Sequence, residues 1–191
     1  NQAYNSKYVS SVWVSSDDEN ILNISLKYGA KVIKRPKYLA SDTSSSESAW
    51  IHSIDYLISQ KIEVDLVVGL QATSPIRGIH DIDNAISRYF QNNYDSLLSV
   101  SELEDYFIWG INSDEELVPL NYDTSARKPR QQISKSYLEN GSLYIFKPSL
   151  LKKTKNRLAG KVGMYLMEKY KSFQIDSEED LKICSGLIKE F

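Results

Sequence analysis

The sequence predicts an α/β protein of three layers, with helices on both faces of a mostly parallel sheet. Three observations predict it. Short apolar runs alternate with segments whose apolar residues recur at helical spacing, the order that yields parallel strands joined by crossover helices. One such run, Asp65-Leu66-Val67-Val68-Gly69, passes directly into Leu70-Gln71-Ala72-Thr73-Ser74-Pro75-Ile76-Arg77, so a buried strand ends in hydrogen-bonding groups and a fixed positive charge. Open α/β sheets bind their ligands at that carboxyl edge. Finally, 191 residues with 41% hydrophobic content suit one domain with a sizeable core and exclude a disordered chain.

Taken in order, strands are predicted at Val9–Val14, Lys31–Ile33, Leu66–Leu70, Ser96–Val100 and Ser142–Phe146. Helices are predicted where Trp50, Ile51, Ile54, Leu57 and Ile58 recur, and again at Ile82, Ile86, Tyr89 and Phe90. Gly29, after Tyr28, stands where a helix C-cap belongs. Glu47 and Ser48 open a helix after a loop rich in Ser and Thr. Asp176 or Ser177 caps the last helix, with Glu179 and Asp180 in its first turn. Between residues 103 and 135 the alternation stops. Tyr106, Phe107, Ile108, Trp109 and Ile111 precede an acidic stretch and Leu117-Val118-Pro119-Leu120, a strand-rich excursion from the sheet. The run from Lys147 to Lys161, with Lys152, Lys153, Lys155 and Arg157, reads as a solvated basic surface, since no aromatic residue interleaves its charges.

Composition narrows the function. A net charge of −2 gives no reason to expect nucleic acid or a membrane as partner. No apolar run reaches the ~20 residues that span a bilayer, and a cytoplasmic protein is the default expectation. Cys184 is the single cysteine, which excludes an internal disulfide; it falls with Leu181, Leu187, Ile188 and Phe191 on one face of a helix, as a core thiol. His52 and His80 are isolated in sequence, which argues against structural zinc. Asn140-Gly141-Ser142 lacks the pattern of a hydrolase elbow.

Several segments carry more. They are Ser11-Val12-Trp13-Val14-Ser15-Ser16-Asp17-Asp18; Lys34-Arg35-Pro36-Lys37-Tyr38-Leu39-Ala40-Ser41-Asp42-Thr43-Ser44-Ser45-Ser46; Leu70 to Arg77; Lys128-Pro129-Arg130-Gln131-Gln132; Tyr137-Leu138-Glu139-Asn140-Gly141-Ser142-Leu143-Tyr144-Ile145; and Ile175-Asp176-Ser177-Glu178-Glu179-Asp180-Leu181. In order and spacing they resemble the acylneuraminate cytidylyltransferases, the CMP-sialic acid synthetases, over nearly the whole chain. The resemblance implies a Rossmann-like sheet of the nucleotide-diphospho-sugar transferase type, as a single domain. It implies a homodimer in which the 103–135 excursion is the contact and each active site draws on both chains. Relative to the family pattern, the first strand and the triphosphate loop have no counterpart ahead of Asn1. The sequence is therefore expected to be part of a longer polypeptide, with a sheet split where the central strand belongs.

The activity implied is transfer of CMP from CTP to the anomeric hydroxyl of a sialic-acid-like 2-keto-3-deoxy sugar acid, with release of pyrophosphate. Gln71 and Ser74 match positions on the sugar side of the cleft, Thr73 is a further substrate-binding candidate, and Arg77 is either a substrate contact or a salt-bridge partner under the loop. Arg130 matches the arginine that holds the acidic sugar, a task suited to a bidentate guanidinium. Arg35, Ser44 and Ser46 match the nucleotide side, where small hydroxyls donate and accept at low entropy cost. Asn140 and Tyr144 match the family's Asn and Tyr. Gln71, Arg130 and Asp176 are the catalytic candidates. Asp176 is the candidate ligand for Mg²⁺ (or Mn²⁺), with Gln174 standing where the sialic acid enzymes have a second aspartate. Leu138 stands where many members have an arginine. The rival readings are a synthetase for Kdo or another nonulosonic acid, and a non-catalytic dimerising remnant without the triphosphate loop.

Overall fold

The computed structural model describes residues 2–41, 43–103 and 107–190; the side chains of Arg130 and Glu190 lie outside the description. In chain order the elements are β1 (Trp13–Ser16), α1 (Glu19–Lys27), β2 (Lys31–Lys34), α2 (Ser46–Ser59), β3 (Val67–Leu70), α3 (Asp81–Gln91) and β4 (Ser96–Leu103). They continue with β5 (Trp109–Ile111), β6 (Leu117–Pro119), β7 (Ser136–Phe146), α4 (Pro148–Thr154), β8 (Val162–Met167) and α5 (Glu178–Glu190). β1 pairs in parallel with β2. A second sheet has the order β3-β7-β4-β8. There β3, β4 and β8 share one direction and β7 opposes them, so the sheet is parallel apart from one strand. Among the described residues no ladder joins the two sheets.

Local chemistry accounts for the element boundaries. Asp18 accepts from the amides of Asn20 and Ile21 at the start of α1, and Gly29 follows its end with φ +84°. Ser45 caps α2 by accepting from Ser48 N. Ser177 and Asp180 form a reciprocal capping box: Asp180 N donates to Ser177 Oγ, and Asp180 Oδ2 accepts from Ser177 N. Of the two expected caps, Ser177 is the one used, which leaves the Asp176 carboxylate outside the helix.

Apolar side chains fill both faces of the second sheet. On one face Ile82, Ala85, Ile86 and Tyr89 of α3 meet Leu97, Leu143 and Ile145. On the other, Ile54 of α2 and Leu151 of α4 meet Tyr144 and Phe146, with Trp50 packed against both rings. Gly69 makes that approach possible, because a Cβ there would come within 2.8 Å of the Trp50 ring. The alternation along β7, Leu143 and Ile145 one way and Tyr144 and Phe146 the other, is the period-two pattern of a strand buried on both faces.

Several expectations are corrected. The first strand lies at Trp13–Ser16, a few residues beyond Val9–Val14. α4 occupies much of the run read as basic surface; Lys153 and Lys155 are exposed there as expected, but Arg157 is mostly buried. Cys184 is buried, but Leu181 and Ile188 of the same helix are exposed.

A buried ion pair ties α3 to the segment after β8. Lys171 Nζ lies 2.9 Å from Asp81 Oδ2, both side chains being under 8% exposed. Tyr165 Oη and Gly78 N also donate to that carboxylate. Removing one partner of a buried pair strands the other charge. Lys171→Met is expected to cost about 3–5 kcal/mol of unfolding free energy. The exposed pair of Lys152 with Asp55 serves as control, since Lys152→Met is expected to cost less than about 1 kcal/mol. Denaturant midpoints of the two variants check the difference.

Candidate functional site

β3 ends at Leu70, and the chain that follows folds back over β7 where β7 bends. The bend sits at Asn140-Gly141, where the β4–β7 register shifts between Leu98 and Val100. The Asn140 amide is wholly buried and fixes the bend. Its Oδ1 accepts from Ser99 Oγ at 2.6 Å and Ser142 N at 3.2 Å, and its Nδ2 donates to Ser101 Oγ at 3.2 Å. Gly141 adopts φ +65°, and a Cβ on it would strike the Gln71 side-chain oxygen and crowd Ser74 Oγ and Gln174 Nε2, each at 3.2 Å. One glycine therefore marks where three candidate side chains converge.

Main-chain carbonyls hold that convergence in place. The carbonyl of Asn140 accepts from Ser74 Oγ and from Gln174 Nε2, each at 3.3 Å. Arg77 donates through Nη2 to the carbonyls of Gln71 and Ser142, both at 2.8 Å, and through Nε to Ser142 O at 3.1 Å. Burial pulls the Arg77 guanidinium down to about 10, opposed by Asp81. The cation stays charged at neutral pH and is used inside the chain. Ile175 N donates to Thr73 O at 2.8 Å, which brings the Gln174–Asp176 segment alongside the loop.

The expected residues divide by exposure. Ser74, Asn140 and Tyr144 are buried, with their polar atoms engaged internally. Their side chains, like that of Arg77, are bonded within the chain, where the expectation had them contacting substrate directly. Tyr144 donates to Glu139 Oε1 at 2.5 Å, and burial, with Glu139 beside it, pushes its hydroxyl up to about 12. Gln71 and Gln174 are half-buried, while Thr73 and Asp176 are exposed.

The other group lies at the end of β2. Arg35 N donates to Ser16 O at 2.9 Å, and its guanidinium reaches the hydroxyl and carbonyl of Ser15. Ser44 Oγ lies 2.8 Å from Ser41 Oγ and bonds to Tyr38 O, which orders the loop before α2. Ser46 is exposed at the first residue of that helix. Arg130 begins a short 3-10 turn, Arg130–Gln132, but its side chain lies outside the described residues, so its expected role is carried only by its place in the chain. Gln131 and Gln132 line a cavity of about 810 Å³ with Phe107, Tyr122, Lys128 and Lys135. Of the excursion's aromatic residues, Tyr106 lies outside the described residues. Phe107 and Trp109 pack on Tyr122, with ring centroids 4.2 and 5.8 Å apart.

A divalent cation would find oxygen donors here without a ready cage. Asp176 offers a carboxylate, and Gln174 and Gln71 offer amide oxygens; among the described residues no group of three His, Cys, Asp or Glu side chains could hold a metal. That set suits a hard ion carried mainly by phosphate and water, as Mg²⁺ commonly is. Sequence reasoning missed Arg157, Glu139 and Glu47, which form an ionic cluster against Tyr144. No local pattern announced it, since Glu47 and Arg157 stand 110 positions apart.

The family model described as Cytidylyltransferase matches residues 1–190. The chain is 34% identical to the Campylobacter coli post-translational flagellin modification protein B, over 99% of this chain and 81% of that protein. It is 32% identical to N-acylneuraminate cytidylyltransferase A of Danio rerio, over 99% of this chain but 43% of that protein. It is also 32% identical to a Campylobacter jejuni pseudaminic acid cytidylyltransferase, over 75% of this chain and 62% of that protein. The chain thus spans less than half the length of the N-acylneuraminate relative. A solved CMP:2-keto-3-deoxy-manno-octonic acid synthetase complexed with CTP shares the fold, with TM-score 0.67 and 14% identity, covering 99% of this chain and 85% of that one.

The Gly141 contact is directly testable. Gly141→Ala combines a left-handed backbone with a clash against Gln71, and is expected to cost about 1–3 kcal/mol. Gly69→Ala clashes instead with Trp50, without positive φ. Thermal melts of both variants check the cost, and only the Gly141 variant is expected to alter ligand binding at Gln71.

Proposed function

The chain belongs to the cytidylyltransferase family, and from that premise we propose that it joins CMP from CTP to the anomeric hydroxyl of a sialic-acid-like 2-keto-3-deoxy sugar acid. Pyrophosphate is the other product. The observation that carries the proposal is the convergence of Gln71, Gln174 and the Asp176 segment around Gly141 at the carboxyl end of β3. Ligands of open α/β sheets bind at such ends.

In this reading the chain's residues divide the work. Gln71 and Thr73 hold and orient the sugar acid so that its hydroxyl lies in line with the α-phosphate. Arg130 pairs with the sugar carboxylate. Arg35, Ser44 and Ser46 take the nucleotide, whose base and ribose are matched by donors and acceptors at the end of β2. Asp176, with Gln174 beside it, would hold Mg²⁺ or Mn²⁺, whose charge would offset that of the triphosphate. Similarity to the pseudaminic acid enzyme supports a second reading of the acceptor, another nine-carbon nonulosonic acid.

The excursion suits a two-fold contact. Ile111, Leu117 and Leu120 are each more than 60% exposed, beside Ile108 and Trp109. Such an apolar patch commonly marks an interface, and a second copy of the chain is the proposed cover.

The test is pyrophosphate release from CTP in the presence of N-acetylneuraminic, pseudaminic, legionaminic and Kdo acids. Turnover with one of the nine-carbon acids is expected, and absence of release with every acid would favour a non-catalytic role. Asp176→Asn is expected to remove most Mg²⁺-dependent turnover while leaving the melting temperature in place, because the cap of α5 is Ser177. Equal activity of that variant across a Mg²⁺ titration would take Asp176 off the metal. Sedimentation equilibrium is expected to give the dimer mass, shifted towards monomer by Trp109→Asp.

A further inference from the structure

We propose that Arg157 is a positioning residue that locks the two sides of the cleft to one another, an inference that rests on the cytidylyl-transfer reading above. Its side chain is 19% exposed and meets groups from two elements far apart in sequence. Nη1 donates to Glu47 Oε1 at 2.9 Å, in the first turn of α2. Nη2 lies 3.8 Å from Glu139 Oε1 on β7. The guanidinium covers the Tyr144 ring at 4.3 Å and that of Trp50 at 5.2 Å. Tyr144 in turn donates its hydroxyl to Glu139.

The sequence neighbours of these contacts give the cluster its meaning. Glu47 directly follows Ser46, on the nucleotide side. Glu139 directly precedes Asn140, whose carbonyl gathers Ser74 and Gln174 on the sugar side. A single cation therefore grips the residue next to each half of the site. Its own loop is anchored in turn: Ala159 N donates to Ser96 Oγ, and Ser96 Oγ donates to Ala159 O. Leu158 N donates to Asn156 Oδ1. Taking a guanidinium out of water is costly unless its partners are well placed. Here Nε is buried without a partner, so the site accepts an unsatisfied donor while keeping the two carboxylates and two rings around one plane. A lysine supplies charge but neither the fork nor the flat face that stacks on an aromatic ring.

In-line transfer needs the two substrates aligned, and small misplacement costs rate before it costs affinity. The test compares wild type with Arg157→Lys by steady-state kinetics with CTP and N-acetylneuraminic acid, and by amide hydrogen exchange. The Lys variant is expected to lose about ten-fold or more in kcat with both KM values within about three-fold, at an unchanged melting temperature. Exchange is expected to quicken together in residues 45–49 and 138–142. Should the Lys variant melt below the assay temperature, Glu47→Ala removes one anchor, leaves the cation on Tyr144, and carries the same readouts. A folded variant with wild-type kcat, or faster exchange in one segment alone, overturns the proposal. If wild type itself turns over no acid, the functional reading falls, and the paired or unpaired change in exchange still decides whether Arg157 couples the two segments.

Discussion

The buried amide of Asn140 bends β7, and that bend sets the position of every group around it. A strand in mid-sheet has no spare donors, so its bend must be supplied with hydrogen bonds from elsewhere. Ser99 and Ser101 of β4 and the amide of Ser142 supply them. The Asn140 carbonyl is thereby free to receive Ser74 and Gln174, and Gly141 provides the space into which Gln71 points. Arg77 clamps the result by bonding the carbonyls of Gln71 and Ser142.

This arrangement separates side chains bonded within the chain from side chains left more exposed. Asn140, Ser74, Tyr144 and Arg77 are spent inside the chain, whereas Gln71, Thr73, Gln174 and Asp176 lie at its edge. A motif therefore contains both kinds of residue, and only burial and bonding tell them apart. Leu70 to Arg77 is one continuous stretch, yet its Ser74 and Arg77 brace what its Gln71 and Thr73 display. The buried residues are costly to change because each lost partner leaves another polar group unsatisfied.

Much of this was legible in the sequence. The β3 strand and its polar exit stood out because an apolar run gave way abruptly to Gln, Thr, Ser and Arg. The capped last helix was equally plain, since Ser177 and Asp180 are local to one another. What failed to show was tertiary. β8 begins Val162-Gly163-Met164, and Gly163 is there because the Tyr94 ring occupies the space of its side chain, a contact no window of sequence reveals. α4 has seven residues, too few for helical periodicity to register. Arg157 looked solvated among lysines because its partners come from Glu47 and Glu139, which only the packing of α2 against α4 and β7 brings near.

Transfer of a cytidylyl group between oxygen atoms, rather than binding or hydrolysis of a nucleotide, is the activity proposed for this site. The direct measurement follows the α-phosphorus of labelled CTP in the presence of Mg²⁺ and N-acetylneuraminic or pseudaminic acid. The label is expected in a phosphodiester carrying the sugar acid, with one pyrophosphate released for each diester formed. Label recovered only in free CMP, or only in unchanged CTP with every acid, would contradict it.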